Sequence, residues 1–126
     1  MPREHDQVEI EVAATRVSIN LTLAVIMEPL ISGNLPGIRV LLQQYGVESA
    51  YLFGSAAQGT MQEGSDVDIL IRFPQNMHYV EYADNYFSLA EALEALLHNK
   101  VDLVTEKTLK NPYLIRQINQ HKLQLL

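Results

Sequence analysis

Leu52-Phe53-Gly54-Ser55-Ala56-Ala57-Gln58-Gly59 and, ten residues beyond Ser55, Ser65-Asp66-Val67-Asp68-Ile69-Leu70 decide how this chain is read. Ser49 to Phe53 has the length and apolar character of a short strand, Gly54-Ser55 ends it, and Ala56 to Gln62 is long enough for one or two helical turns. Val67 to Phe73 is a strong buried strand closed by Pro74, because the residue before a proline is pushed towards extended backbone. Carboxylates are among the least buried side chains, so a strand that carries Asp66 and Asp68 beside its apolar run needs a reason. Strand residues i and i+2 share a face about 6.6 Å apart, so the two carboxylates can converge on one cation. Asp102, between Val101 and Leu103 in a further strand at Val101 to Thr105, can arrive from a neighbour. Three such groups repel one another unless a divalent ion offsets them, and all-oxygen ligands suit Mg²⁺ or Mn²⁺. A plainer reading stays open: Asp66 caps a turn after Gly64-Ser65, and Asp102 pairs with Lys100 or Lys122.

The Gly-Ser pair adds a second function to the same end of the sheet. Placed between a strand and a short helix, it aims backbone N–H groups and a hydroxyl at whatever sits above the strand end, a recurrent way to hold phosphate. A phosphate cradle beside metal-binding carboxylates fits phosphoryl or nucleotidyl transfer, where positioning and charge neutralisation supply most of the catalysis.

Outward from this centre, Leu35, Ile38, Leu42 and Tyr45 share one side of a helix from about 35 to 45, with Gly46 suited to the left-handed position beyond its end. Residues 80–97 form the strongest helix: Tyr82, Tyr86, Leu89, Leu93, Leu96 and Leu97 recur at spacings of four and three, and Glu81, Asp84, Ser88, Glu91 and Glu94 take the outer face. Asn111 as N-cap and Pro112 as first residue start a last helix running towards Leu125. This alternation calls for α/β layers, helices packed on a small sheet. Ahead of it, Val8, Ile10 and Val12 alternate too briefly to hold a fold, and Val17 to Val25 reads equally as strand or helix.

Composition narrows the classes. A chain of 126 residues, 48% hydrophobic, is one domain with enough apolar mass for its own core. Zero cysteines exclude disulfide scaffolds and thiol chemistry and suit a reducing compartment. A net charge of −6 has the wrong sign for holding nucleic acid through the whole surface. The acids concentrate in 61–106, where Arg72 and Lys100 are the only Lys or Arg, whereas 107–126 carries Lys107, Lys110, Arg116 and Lys122 and no acid. Leu21 to Ile31, broken by Thr22, Glu28 and Pro29, is too short to span a bilayer, and the opening residues are too acidic for a signal peptide. The cytoplasm is the expected compartment.

The stretch 52–59, the Asp66-Val67-Asp68 that follows, Val101-Asp102-Leu103-Val104 and Leu109-Lys110-Asn111-Pro112-Tyr113 together resemble the minimal nucleotidyltransferases, small stand-alone members of the DNA polymerase β-like superfamily. The resemblance covers roughly 35–126. It implies a small mixed β-sheet flanked by helices, with 1–34 as an N-terminal extension, partly disordered or produced by a misassigned start at which Met27 is the natural alternative. It implies that Gly54 and Ser55 hold the nucleotide phosphates, that Asp66 and Asp68 hold two catalytic Mg²⁺ ions, and that Asp102 supplies a further metal contact and meets the acceptor hydroxyl. Many such proteins are antitoxins paired with a HEPN ribonuclease toxin, and transfer AMP from ATP to a toxin tyrosine. The same is expected here, with a hetero-oligomeric or homo-oligomeric assembly and no membrane or direct nucleic-acid partner. Two other classes stay open: an antitoxin that neutralises by binding alone, and a transferase acting on a small hydroxyl compound.

Gln58 departs from the family, which commonly has Arg there. Tyr79, Tyr82, Tyr86 and Phe87 read as packing, base stacking or partner contact; His78 and His98 read as surface or helix-end residues; Arg72 reads as a phosphate contact or a strand-end group.

Overall fold

The computed structural model describes residues 27–126; the Val8 to Val12 and Val17 to Val25 patterns lie outside the described residues. In chain order the elements are α1 (Pro29–Ser32), α2 (Leu35–Gln44), β1 (Ser49–Phe53), α3 (Gly54–Gln58), β2 (Val67–Arg72), α4 (Tyr79–Leu97), β3 (Val101–Thr105), a 3₁₀ turn (Glu106–Thr108), α5 (Pro112–His121) and β4 (Leu123–Gln124). The strands form one mixed sheet in the order β3-β2-β1-β4. β1 runs antiparallel to both β2 and β4, and β2 runs parallel to β3. A parallel pair needs a crossover, and α4 is that crossover.

Strand alternation sorts the sheet into two unequal faces. Ala50, Leu52, Ile69, Ile71 and Leu103 are buried in the main core with Ile38 and Leu42 of α2 and Leu89, Leu93 and Leu97 of α4. Each Leu or Ile side chain among them contributes about 1.5–3 kcal/mol by leaving water. The opposite face carries a smaller cluster, Phe53 and Leu70 against Ile118 of α5, with Tyr51, Val104 and Leu109 at its margin. Asp68 and Asp102 stand in one row with Phe53 across the three strands, so the carboxylates share the face of this smaller cluster. Two residues of the main core, Met27 and Ile31, lie ahead of the start expected at residue 35.

Local signals account for most boundaries. The Asn111 side chain accepts from the N–H groups of Tyr113 (2.9 Å) and Leu114 (3.3 Å), as an N-cap does. His78 caps α4 through its Nδ1, which accepts from the Val80 N–H at 3.2 Å, and His98 closes the same helix at φ 51°. Both are helix-end residues, as read from the sequence.

Two boundaries differ from expectation. The short helix after β1 lies at Gly54–Gln58 rather than Ala56 to Gln62, because Gly59 turns left-handed at φ 70° and stops it. The last helix ends at His121 instead of running towards Leu125, because the chain beyond Lys122 pairs with the outer edge of β1. The Leu125 N–H donates to the Ala50 carbonyl at 2.8 Å, the Ala50 N–H donates to the Leu126 carbonyl at 3.1 Å, and Arg39 Nε holds the Leu125 carbonyl at 2.8 Å. Unpaired strand edges are unfavourable, and pairing one outweighs the last helical turn.

At the other end of the sheet β3 is an edge strand, and side chains occupy three of the polar groups it turns outward. Glu94 accepts from the Val101 N–H at 3.0 Å, the Tyr86 hydroxyl donates to the Leu103 carbonyl at 2.5 Å, and the Thr108 hydroxyl donates to the Thr105 carbonyl at 3.2 Å.

Candidate active site

The site is assembled where β1 ends against β2. Phe53 is extended (φ −140°, ψ −175°) and the next residue, Gly54, turns to φ 69°, which opens α3 directly on the strand end. A Cβ built on Gly54 would lie 2.2 Å from Oδ2 of Asp68. Glycine is therefore required twice over, for the left-handed backbone and for the space the Asp68 carboxylate fills. Ser55 follows as the second residue of α3 and is half-buried; Gln58 at the end of that helix is exposed.

Asp68 lies opposite Asp102 in the parallel register of β2 and β3. Burial first, then the charges of Asp102 and Asp66, then a side-chain hydrogen bond with Asp102 push the Asp68 carboxyl up to about 6. The two carboxyl groups thus face each other across the β2–β3 pair, each penalising the other's charge at Asp68. Asp66 is exposed, directly ahead of β2, and close enough for its charge to act on Asp68. Asn99 steadies this approach by donating to the Ser65 carbonyl at 3.0 Å.

The structure thus joins Gly54, Asp68 and Asp102 and sets Asp66 beside them. Among the described residues no three His, Asp or Glu side chains form a set that could hold an ion by themselves. The donor chemistry nevertheless fits Mg²⁺, which keeps several waters and is usually bound by one or two carboxylates together with substrate phosphates. Burial first and the neighbouring carboxylates second raise the Asp68 carboxyl, and a bound cation would offset both.

Other candidates fall elsewhere. Arg72 takes its strand-end role, pairing with Glu48 at 2.8 Å and Glu106 at 3.8 Å, and lines a cavity of about 530 Å³ with Phe73, Tyr82 and Lys107 at the end of β2 remote from Asp68. Tyr82 and Tyr86 pack partly on the core, whereas Tyr79 and Phe87 are 78% and 70% exposed. Tyr86 was not singled out from the sequence as a neighbour of the acids, yet burial and then the Asp102 charge raise its hydroxyl pKa. Its helical spacing announced only packing. Glu94, with its bond to β3, looked like any outer-face acid.

The chain belongs to the nucleotidyltransferase domain family, which matches residues 38–125. It is 42% identical over 82 residues to a Methanocaldococcus jannaschii protein named as a protein adenylyltransferase, a match covering 65% of this chain and 80% of the relative. It resembles a solved toxin–antitoxin structure with AMP-PNP at TM-score 0.60 and 29% identity, over 74% of this chain and 73% of the other. A second solved structure, a tri-AMPylated Shewanella oneidensis HEPN toxin in complex with MNT antitoxin, matches at TM-score 0.53 and 25% identity, over 74% and 69% of the two chains. The fold and family expected from the motif residues are those found. Among the described residues no helix is long and apolar enough to cross a membrane.

Proposed function

We propose that this protein transfers AMP from ATP to a hydroxyl, most simply a tyrosine hydroxyl, of a HEPN-type toxin and thereby acts as the toxin's antitoxin. The observation that carries this reading is the Gly54–Asp68–Asp102 assembly: a strand end without a side chain, pressed against one of two facing carboxyl groups. The relative named as an adenylyltransferase and the toxin–antitoxin structures, one with AMP-PNP and one with an AMPylated toxin, support the same substrate and partner.

In this reading Gly54 and Ser55 would present the start of α3 to the triphosphate, and Asp66, Asp68 and Asp102 would hold Mg²⁺, two ions in all. Bound there, Mg²⁺ neutralises the triphosphate and lowers the pKa of the attacking hydroxyl. The acceptor oxygen bonds to the α-phosphorus, the bond from that phosphorus to the pyrophosphate oxygen breaks, and the hydroxyl proton passes to solvent water. We assign Asp102, exposed on the edge strand, to the acceptor, and Asp68, half-buried against Gly54, to the nucleotide. Such pre-placed charge is where most of the rate of phosphoryl transfer originates.

The test is intact-mass measurement of a HEPN-type toxin after incubation with this protein, ATP and Mg²⁺. A gain of one or more adenylyl groups is expected, lost by on the order of 10²-fold in rate in D68N. Neutralisation of the toxin by wild type and D68N alike, with no mass gain, would replace the transferase with an antitoxin that works by binding.

A further inference from the structure

The exposed part of α4 does not have the surface of a solvated helix. Val80, Ala83 and Phe87, spaced three and four apart, lie on one stripe, and Val80 and Phe87 are 48% and 70% exposed. Beside the stripe, Tyr82, Tyr86, Leu103 and Val104 line a largely apolar hollow of about 380 Å³ between α4 and β3, with Phe87 on its rim. Phe87 meets Tyr86 edge to face, ring centroids 5.1 Å apart, so the rim residue is held by a fixed neighbour.

The hollow's position identifies what it receives. Its lining includes Val104, two residues beyond Asp102 on the same face of edge strand β3, and Tyr86, whose hydroxyl bonds the Leu103 carbonyl; Leu103 itself turns to the α4 face. Anything seated there lies along β3 from Asp102, one strand repeat of about 6.6 Å away. Strand addition would have to displace Glu94, Tyr86 and Thr108 from outward-facing groups of β3, which favours an occupant that docks through side chains. Glu81, Asp84 and Glu91 are exposed on the same helix and surround the apolar stripe with negative charge.

We infer that the α4–β3 hollow and the Val80–Ala83–Phe87 stripe form the acceptor-docking face, which seats an apolar, aromatic segment of the partner protein inside a basic rim and so delivers its hydroxyl to Asp102. This inference rests on the transferase reading for its outcome but not for its contacts. It makes Phe87 a specificity residue that touches the acceptor protein and takes no part in holding ATP.

The experiment compares wild type, F87S and F87Y with a HEPN-type toxin that the wild type binds, reading complex affinity by calorimetry and AMP transfer by intact mass. Both substitutions are at an exposed position, and the ATP-dependent rise in melting temperature reports that the nucleotide site is intact. Expected are an F87S complex at least tenfold weaker, a matching rise in KM for the acceptor with kcat at saturating acceptor changed less than twofold, and recovery in F87Y. Raising salt should weaken the wild-type complex, as a basic rim requires. If F87S binds and modifies its partner as wild type does, the docking face is wrong and the transferase reading stands. If wild type transfers nothing but F87S still loses the complex, the docking face stands and the transferase reading fails.

Discussion

Replacing Gly54 by Ala tests the site's construction with a single methyl group. Two costs can be worked out separately. An L-residue held in left-handed backbone at φ 69° costs about 1–2 kcal/mol. The new Cβ would lie 2.2 Å from Asp68 Oδ2, far inside any real contact, so the carboxylate or the strand end must retreat by on the order of 1 Å. Forcing extra volume into a filled place adds about 1–3 kcal/mol, for a total near 2–5 kcal/mol. A retreat of that size at a reacting centre costs on the order of 10² in rate. Urea denaturation of wild type, G54A, D68A and G54A/D68A separates the terms. Removing the Asp68 carboxylate should relieve the steric part and leave the backbone part, giving a coupling of about 1–3 kcal/mol in the double-mutant cycle. Additive effects would show that Gly54 and Asp68 do not compete for the same space, and the reasoning from the strand end to the acid pair would collapse.

Two further predictions concern the charge and the boundary of the domain. Because Asp68 is raised from 3.8 to about 6, the folded state holds its proton more tightly than the unfolded chain. This group's effect is nil below the unfolded value and grows into a destabilisation as pH rises through the window from 3.8 to about 6. With the half-exposed position discounting the full shift, D68N should exceed wild type by about 1 kcal/mol at pH 8 in the presence of chelator, and match it near pH 3. Equal stabilities at pH 8 would mean that the carboxylates are not crowded; added Mg²⁺ should reverse the order by stabilising wild type alone. A chain starting at Met27 should melt within a few degrees of the full chain. One starting at Leu35 loses the buried Met27 and Ile31, roughly 3–6 kcal/mol, and should be largely unfolded by circular dichroism; a well-folded 35–126 fragment would show that these two residues are dispensable.

What could be read in advance was whatever depends on neighbours in sequence. β1 and β3 fall at Ser49–Phe53 and Val101–Thr105 because their apolar runs are flanked by turn residues, and Asn111-Pro112 starts α5 by cap chemistry alone. The acids were legible as anomalies, carboxylates in apolar strands. Their pairing across β2 and β3 was expected in outline, but the contact of Gly54 with Asp68 depends on a register that no local pattern encodes. The end of α5 was misjudged for the same reason. Residues 117–125 keep a passable helical pattern, and only the bare edge of β1, more than seventy positions earlier in the chain, pulls 123–124 into the sheet. Likewise the role of Glu94 is invisible until β3 is beside α4.

That late pairing has a consequence for how the protein comes into being. β1 is made early, acquires β2 soon afterwards, and then waits for Leu123 and Leu125 through the synthesis of α4, β3 and α5. Until those residues emerge from the ribosome, Ala50 and Leu52 border an open strand edge, the kind of surface that recruits other chains. A product that stops short of residue 123 would therefore be adhesive as well as incomplete. The covering of the β1 edge is available only to a chain whose translation has passed Leu125.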